Sequence, residues 1–222
     1  IPNHKRRRII YMLVIDPTTT DRAMSYELFI NAPMPMVTIH KTIEITKLVR
    51  FSKRKKLKLN MLLNYCIGFV ASQIKEFKLI PVEKKLVQYD RIGVSVIVDN
   101  KEGGINSCSI PFSEDLQKFN EDYLSLTNKV RESCENYDLD DYAIVGSSSL
   151  PEFKIDGVCN MYSGMFNNPL LCWGGYDHKF LSPKTTLKVS FQFHHVQMDG
   201  RQACVFLEGV ERCANSISIN TK

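Results

Sequence analysis

No run of apolar residues in this 222-residue chain approaches the roughly 18 that a membrane-spanning helix needs. The longest stretch, around residues 61–74, is interrupted by Asn64, Ser72 and Gln73. A basic cluster, His4–Arg8, stands near the start, but the apolar run behind it is about six residues, too short for the core of a secretory leader. These absences predict a soluble, cytoplasmic protein with no membrane partner. CxxC pairs are missing too. The seven cysteines are odd in number and scattered, which excludes the spacing of a zinc site and fits reduced thiols better than a disulfide framework. No metal is expected. No repeat, low-complexity tract or Gly/Ser linker divides the chain, so residues 1–222 are read as a single domain. Nor does an aromatic-and-glycine RNA-binding motif accompany the net charge of +5, whose basic residues gather in His4–Arg8 and Lys47–Lys58. A phosphate-bearing ligand suits that distribution, and nucleic acid is not demanded.

What is present has the balance of an ordinary globular domain, 44 % apolar and 24 % charged. Val37, Ile39, Ile43 and Ile45 alternate with Thr38, His40, Thr42 and Glu44, as on a half-buried strand. Thr46 then suits the cap of a short helix to about residue 56, and an apolar stripe from Leu63 to Ile74 predicts a second helix over 60–77. "KLVQYD" and "IGVSVIVD" read as strands, and "NKEGG" turns the chain into "INSCSIPF". Ser113, followed by Glu114 and Asp115, predicts the N-cap of a long helix to about Cys134. Strands are expected at 142–146, 155–163, 167–173 and 186–195, with a turn near 181–184 and a last helix over 201–214. Helices interspersed with many strands predict an α/β two-layer sandwich, one mixed and largely antiparallel sheet covered by helices.

The segment "KVSFQFHHVQMDG" places two histidines at the end of one such strand. Leu187, Val189, Phe191 and Phe193 share a face, and His195 is in phase with them. Lys188, Ser190, Gln192 and His194 share the other, polar face. Alternation to the strand's end therefore predicts that His195 points into the apolar layer. A histidine held among apolar groups is disfavoured as imidazolium and stays a neutral base. Gly200 can take positive φ in the turn that follows, and Asp199 can accept backbone hydrogen bonds.

The order HHxxxDG, present as "HHVQMDG", resembles the signature of the chloramphenicol acetyltransferase family of CoA-dependent acyltransferases. Further segments are similar in the same order. "TDRAMSYELF" resembles the family's W-x-R-x-x-x-F with Arg22 and Tyr26 in register and Thr20 at the tryptophan. "EIT" resembles DIT, "KLVQYDRI" resembles ELVIWDSV, and "GSSSLPE" resembles VSANPW, which aligns Ser148 with the family's serine. The register rests on the spacing to Pro151, and a slip to Ser147 stays open. "PLLCWGGY" resembles P-x-x-T-x-G-K-Y, so Tyr176 aligns with the family's tyrosine and Cys172 with its threonine.

The resemblance implies transfer of acetyl from acetyl-CoA to a hydroxyl of chloramphenicol or a related small molecule, an activity of the antibiotic-resistance type. It implies His195 as general base, Ser148 as donor to the oxyanion, and Arg22 paired with Asp199 to hold the histidine loop beside Gly200. Lys58 aligns with a lysine near the ribose phosphate of CoA and Tyr176 with a tyrosine on the adenine, while Phe29 and Cys172 fall to the acceptor pocket. Lys53–Lys56 read equally well as a solvated helix face. A homotrimer with active sites between subunits is also implied. The chain departs from the family at Cys172, at "KLKLNML", which lacks an aromatic-proline pair, and at Glu152 after Pro151. A dihydrolipoyl acyltransferase core, whose motif usually reads DHRxxDG, and a non-catalytic module of the same fold are the alternatives.

Overall fold

The computed structural model describes residues 12–217 apart from 163, 165 and 179–182. Along the chain the strands are β1 (Met12–Ile15), β2 (Met36–Glu44), β3 (Leu79–Val82), β4 (Lys85–Tyr89), β5 (Ile92–Asp99), β6 (Ile105–Pro111), β7 (Ala143–Leu150), β8 (Leu170–Gly174), β9 (Asp177–His178) and β10 (Thr185–His194). The α-helices are α1 (Ala23–Phe29), α2 (Thr46–Lys55), α3 (Leu59–Gln73), α4 (Leu116–Ser133) and α5 (Gly200–Ser216). The main sheet runs β2-β10-β8-β7-β5-β6, with the short β9 also paired to β10. Its β5–β7 and β7–β8 contacts are parallel and the others antiparallel. The expected mixed sheet is therefore present.

Helices α2 to α5 cover one face of that sheet. Val94, Val96 and Val98 of β5 and Leu187, Val189, Phe191 and Phe193 of β10 point into this layer and are buried. Gly209 of α5 lets α5 lie against α3, because a Cβ there would come within 2.6 Å of Val70 Cγ1. A larger residue at 209 would push the two helices apart.

Several expectations need correcting. "KLVQYD" is a strand, but it belongs to a second sheet, β1-β4-β3, so the described residues form two sheets. The cap of α4 is Asp115, whose carboxylate accepts from the Gln117 and Lys118 amides, and Ser113 only receives the Asp115 N–H. Thr46 lies inside α2, where its hydroxyl donates to Glu44 and accepts from the Thr185 amide. Helix α3 stops at Gln73 and a 3-10 turn, Lys75–Lys78, follows. Residues 155–162 form no strand; 163 and half of the expected 181–184 turn, residues 181 and 182, lie outside the described residues. Segment 155–162 instead crosses the helix-free face of the sheet. There the Val158 N–H donates to Ser190 Oγ (2.8 Å), and Gln192 Nε2 donates to the Asn160 carbonyl (2.9 Å). Side chains of β10 thus satisfy its backbone where a ladder was expected. The Asn100–Gly104 turn is as expected, with Gly103 at φ 83° and Asn100 Oδ1 accepting from the Glu102 and Gly104 amides.

Candidate active site

Strand pairing on β10 ends at His194, opposite Met36. His195 is already in the turn that follows, its N–H donating to the Pro35 carbonyl at 2.8 Å. The period-2 alternation therefore does not reach it, and the expectation that His195 points into the apolar layer is wrong. Its side chain is 31 % exposed and stacks on Phe29 of α1, ring centroids 4.1 Å apart and 4° from parallel. Phe29, expected in an acceptor pocket, is the flat support of this imidazole. Nδ1 of His195 is buried and faces Asp199 Oδ1 at 3.3 Å without hydrogen-bonding geometry. Nε2 is then the nitrogen left to exchange a proton with a reactant.

His194 is the buried histidine, 1 % exposed. Its Nδ1 accepts from the Val196 N–H at 3.1 Å, its carbonyl accepts from the Gln197 amide, and Tyr162 sits edge-on to its ring. Burial, helped by the charge of His195, pushes its pKa down from 6.5 to about 4. The unfolded chain protonates this ring below 6.5 and the folded chain only near 4. The stability contributed by the neutral ring is thus complete above pH 6.5 and lost as pH falls toward 4. Near pH 5, unfolding is expected to take up about one proton that the His194→Gln variant does not take up. The pH dependence of the urea midpoint measures the difference.

Arg22, 4 % exposed, holds the turn. Nη1 and Nη2 donate to the two Asp199 oxygens at 2.7 and 2.9 Å, Nη2 also to the His195 carbonyl at 2.7 Å, and Nε to the Val196 carbonyl at 2.9 Å. The planar fork suits this bidentate grip. Arg22 beside it holds the Asp199 carboxyl below the usual carboxylate range. Asp199 is also the N-cap of α5, its own N–H accepted by Gln202 Oε1 at 3.2 Å. Gly200 does not take positive φ; it is the first residue of α5, with nothing within 4 Å of a built Cβ. The structure gives no reason for glycine there. Arg22→Met strands a carboxylate and two carbonyls, and is expected to cost about 3 kcal/mol of stability by urea unfolding.

The sheet turns the two serines to opposite faces. Ser147 points toward α3, where its hydroxyl donates to Asn64 Oδ1 (2.8 Å) and the Ser95 carbonyl (3.2 Å). Ser148 lies on the opposite, helix-free face, in one row with Cys172, Ser190 and His40. Cys172 Sγ accepts from Asn160 Nδ2 at 3.6 Å, and burial pushes the thiol pKa up. His195 stands five residues beyond Ser190 on β10, which puts it about 17 Å along the strand and two strands, about 10 Å, across from Ser148. One chain does not bring its Ser148 and His195 together.

Two cavities flank the row. One, of about 590 Å³, opens on the helix-free face and includes Ile97, Ser107, Gly146, Leu170 and Gln192 in its lining. The other, of about 370 Å³, includes Leu59, Asn60, Ser149, Trp173 and Tyr176. Tyr176 is thus at a cavity, while Lys58 is the exposed N-cap residue of α3 directly before Leu59. Sequence reading missed Lys154, which lines the second cavity, bonds the Tyr176 carbonyl and pairs with Asp177 at 2.9 Å. It also missed Ser95, Ser107 and Ser109, whose shared face follows from β5 and β6 alternation once their register is known. Among the described residues no His, Cys, Asp and Glu cluster could hold a metal, and no helix is long and apolar enough to cross a membrane.

The family model described as "Chloramphenicol acetyltransferase" matches residues 10–211. Among curated proteins, a chloramphenicol acetyltransferase of Clostridium perfringens is 28 % identical over 219 residues, covering 91 % of this chain and 94 % of its own. One of Clostridium butyricum is 26 % identical over 211 residues with the same coverage. Among solved structures, a chloramphenicol acetyltransferase superposes with a TM-score of 0.80 at 18 % identity, covering 91 % of this chain and 99 % of the other. The dihydrolipoamide acetyltransferase of Azotobacter vinelandii gives 0.69 at 17 %, covering 90 % and 87 %. These structural likenesses concern the fold.

Proposed function

The chain belongs to the chloramphenicol acetyltransferase family, and from that premise we propose that it transfers acetyl from acetyl-CoA to a hydroxyl of chloramphenicol or a related small alcohol. The observation that carries the reading is the turn of HHVQMDG itself. Four Arg22 hydrogen bonds and the stacked Phe29 ring hold His195 with Nδ1 toward Asp199 and Nε2 outward. An imidazole so oriented removes the acceptor proton through Nε2, a contribution of about 10²–10⁴ in rate. The acceptor oxygen attacks the thioester carbonyl, and the C–O bond forms as the carbonyl oxygen takes up the negative charge. The carbonyl then re-forms as the C–S bond breaks, and the proton passes from His195 to the departing CoA sulfur. Ser148 donates to the oxyanion between these events, and its hydroxyl is committed to no protein group among the described residues.

Acetyl-CoA enters along the second cavity, with Tyr176 at its wall and Lys58 at the head of α3 for a phosphate. The acceptor occupies the first cavity. The separation of His195 from Ser148 within one chain supports a homotrimer in which each site joins His195 of one subunit to Ser148 of the next. Thiol release from acetyl-CoA is the test, with chloramphenicol and dihydrolipoamide as alternative acceptors. Release with chloramphenicol that is lost in a His195 variant supports the reading. Release with dihydrolipoamide alone transfers the chain to the dihydrolipoyl class, and no release with a broad panel of small alcohols makes it a binding module.

A further inference from the structure

The floor of the larger cavity is a row of small polar side chains. Ser95 of β5 pairs with Ser109 of β6 and with Gly146 of β7, and Gly146 pairs with Leu170 of β8. Ser107 of β6 lies two residues from Ser109 and faces the same cavity. Ser109 is 3 % exposed, and among the described residues none of the hydroxyls of Ser95, Ser107 and Ser109 has a hydrogen-bonding partner. Hydroxyls that open into a cavity without a protein partner are recognition groups for a polar ligand, because leaving them unpaired in a complex is costly.

The mouth adds a charge. Asp138 and Asp140, both exposed, line the cavity, and among the described residues neither is paired with a cation. The segment carrying them is anchored where Tyr137 exchanges backbone bonds with Ser107 and Ser109. Arg91, 4.2 Å from the ring centroid of the lining residue Tyr142, is paired with Asp141. Among the described lining residues there is no Lys, Arg or His. Ile80, Val82, Ile144 and Phe166 complete an apolar side. Serine hydroxyls below, two carboxylates at the rim and an apolar wall together fit one class of molecule.

We infer that the acceptor is an amino alcohol, a small molecule with several hydroxyls and a protonated amine, rather than a neutral amide or an anion. This rests on the acceptor reading of the cavity given above. The ammonium lies toward Asp138 and Asp140, additional hydroxyls take the serines, and the reacting hydroxyl is left toward Ser148.

A matched pair of acceptors tests it: chloramphenicol, and its deacylated amine, which keeps the diol and exposes an ammonium group. Thiol release with the wild-type protein is expected to give a kcat/KM about three- to tenfold higher for the amine at low salt, from two exposed charge contacts. In the double variant Asp138→Asn with Asp140→Asn the ratio is expected to fall toward one. A preference for chloramphenicol, or an amine preference that the double variant keeps, overturns the inference. Calorimetric titration of both compounds runs in parallel and needs no turnover. Amine-selective binding abolished by the double variant, with no thiol release, keeps the inference about the cavity and overturns the acetyltransferase reading. Release with chloramphenicol alone does the reverse.

Discussion

Alanine at His195 is expected to lower kcat for acetyl transfer by at least about 10²–10⁴-fold, the usual worth of a positioned general base. KM for acetyl-CoA is expected to hold, because in the proposed site His195 meets only the reacting end of the cofactor while Tyr176 and Lys58 of the other chain hold the rest. Some stability goes with the ring, since His195 stacks on Phe29 at 4.1 Å and such aromatic pairs contribute about 0.5–1.5 kcal/mol. Circular dichroism and urea unfolding of the variant separate the two effects. His195→Gln keeps a planar polar group on Phe29 without a base, and is expected to lose the same rate with less stability. Acetyl transfer that survives both substitutions would remove His195 from the chemistry and leave the Arg22 clamp as architecture only.

Ser148→Ala carries the second large effect, a fall in kcat of about 10²–10³ for one lost oxyanion donor. Ser147→Ala is expected to behave differently: it breaks the bond to Asn64 between β7 and α3, so its loss appears in stability. The proposed two-chain origin of the site gives a sharper measurement. Subunits carrying His195→Ala and subunits carrying Ser148→Ala are each inactive, but a mixed trimer contains interfaces where both residues are native. Random co-assembly in equal amounts is expected to restore about a quarter of wild-type activity per site. The double variant in one chain, mixed with itself, restores none. Mixtures as inactive as their parents would mean that His195 and Ser148 never share a site.

Both outcomes depend on features with different histories in the sequence. The segments "EIT", "GSSSLPE", "PLLCWGGY" and "HHVQMDG" resemble the family in order, and the family assignment over residues 10–211 agrees with them. The Arg22–Asp199 pair was legible in the same way, although its residues are far apart in the chain, and the structure adds the two carbonyls that the same guanidinium holds. Lys154 carried no signal, since a lone lysine in a loop is ordinary until the fold lays it under Tyr176. The same holds for the cavity serines, three small residues among many.

Local chemistry determined most elements of this protein from its sequence. Period-2 alternation marked β2 and β10, turn residues marked Asn100–Gly104, and an apolar stripe marked α3. These signals act between residues a few positions apart, so a sequence displays them. Where the alternation stops was not among them. β10 loses its partner when β2 begins at Met36, so a strand from the other end of the chain decides that His194 is buried and His195 is free. Tertiary structure likewise decided that Ser147 is spent on Asn64 while Ser148 faces the open side. It also decided that His195 and Ser148 of one chain stand too far apart to act on one substrate. Each is a matter of which distant backbone completes a ladder, and hydrogen bonds between remote strands leave no periodic trace in the residues that make them.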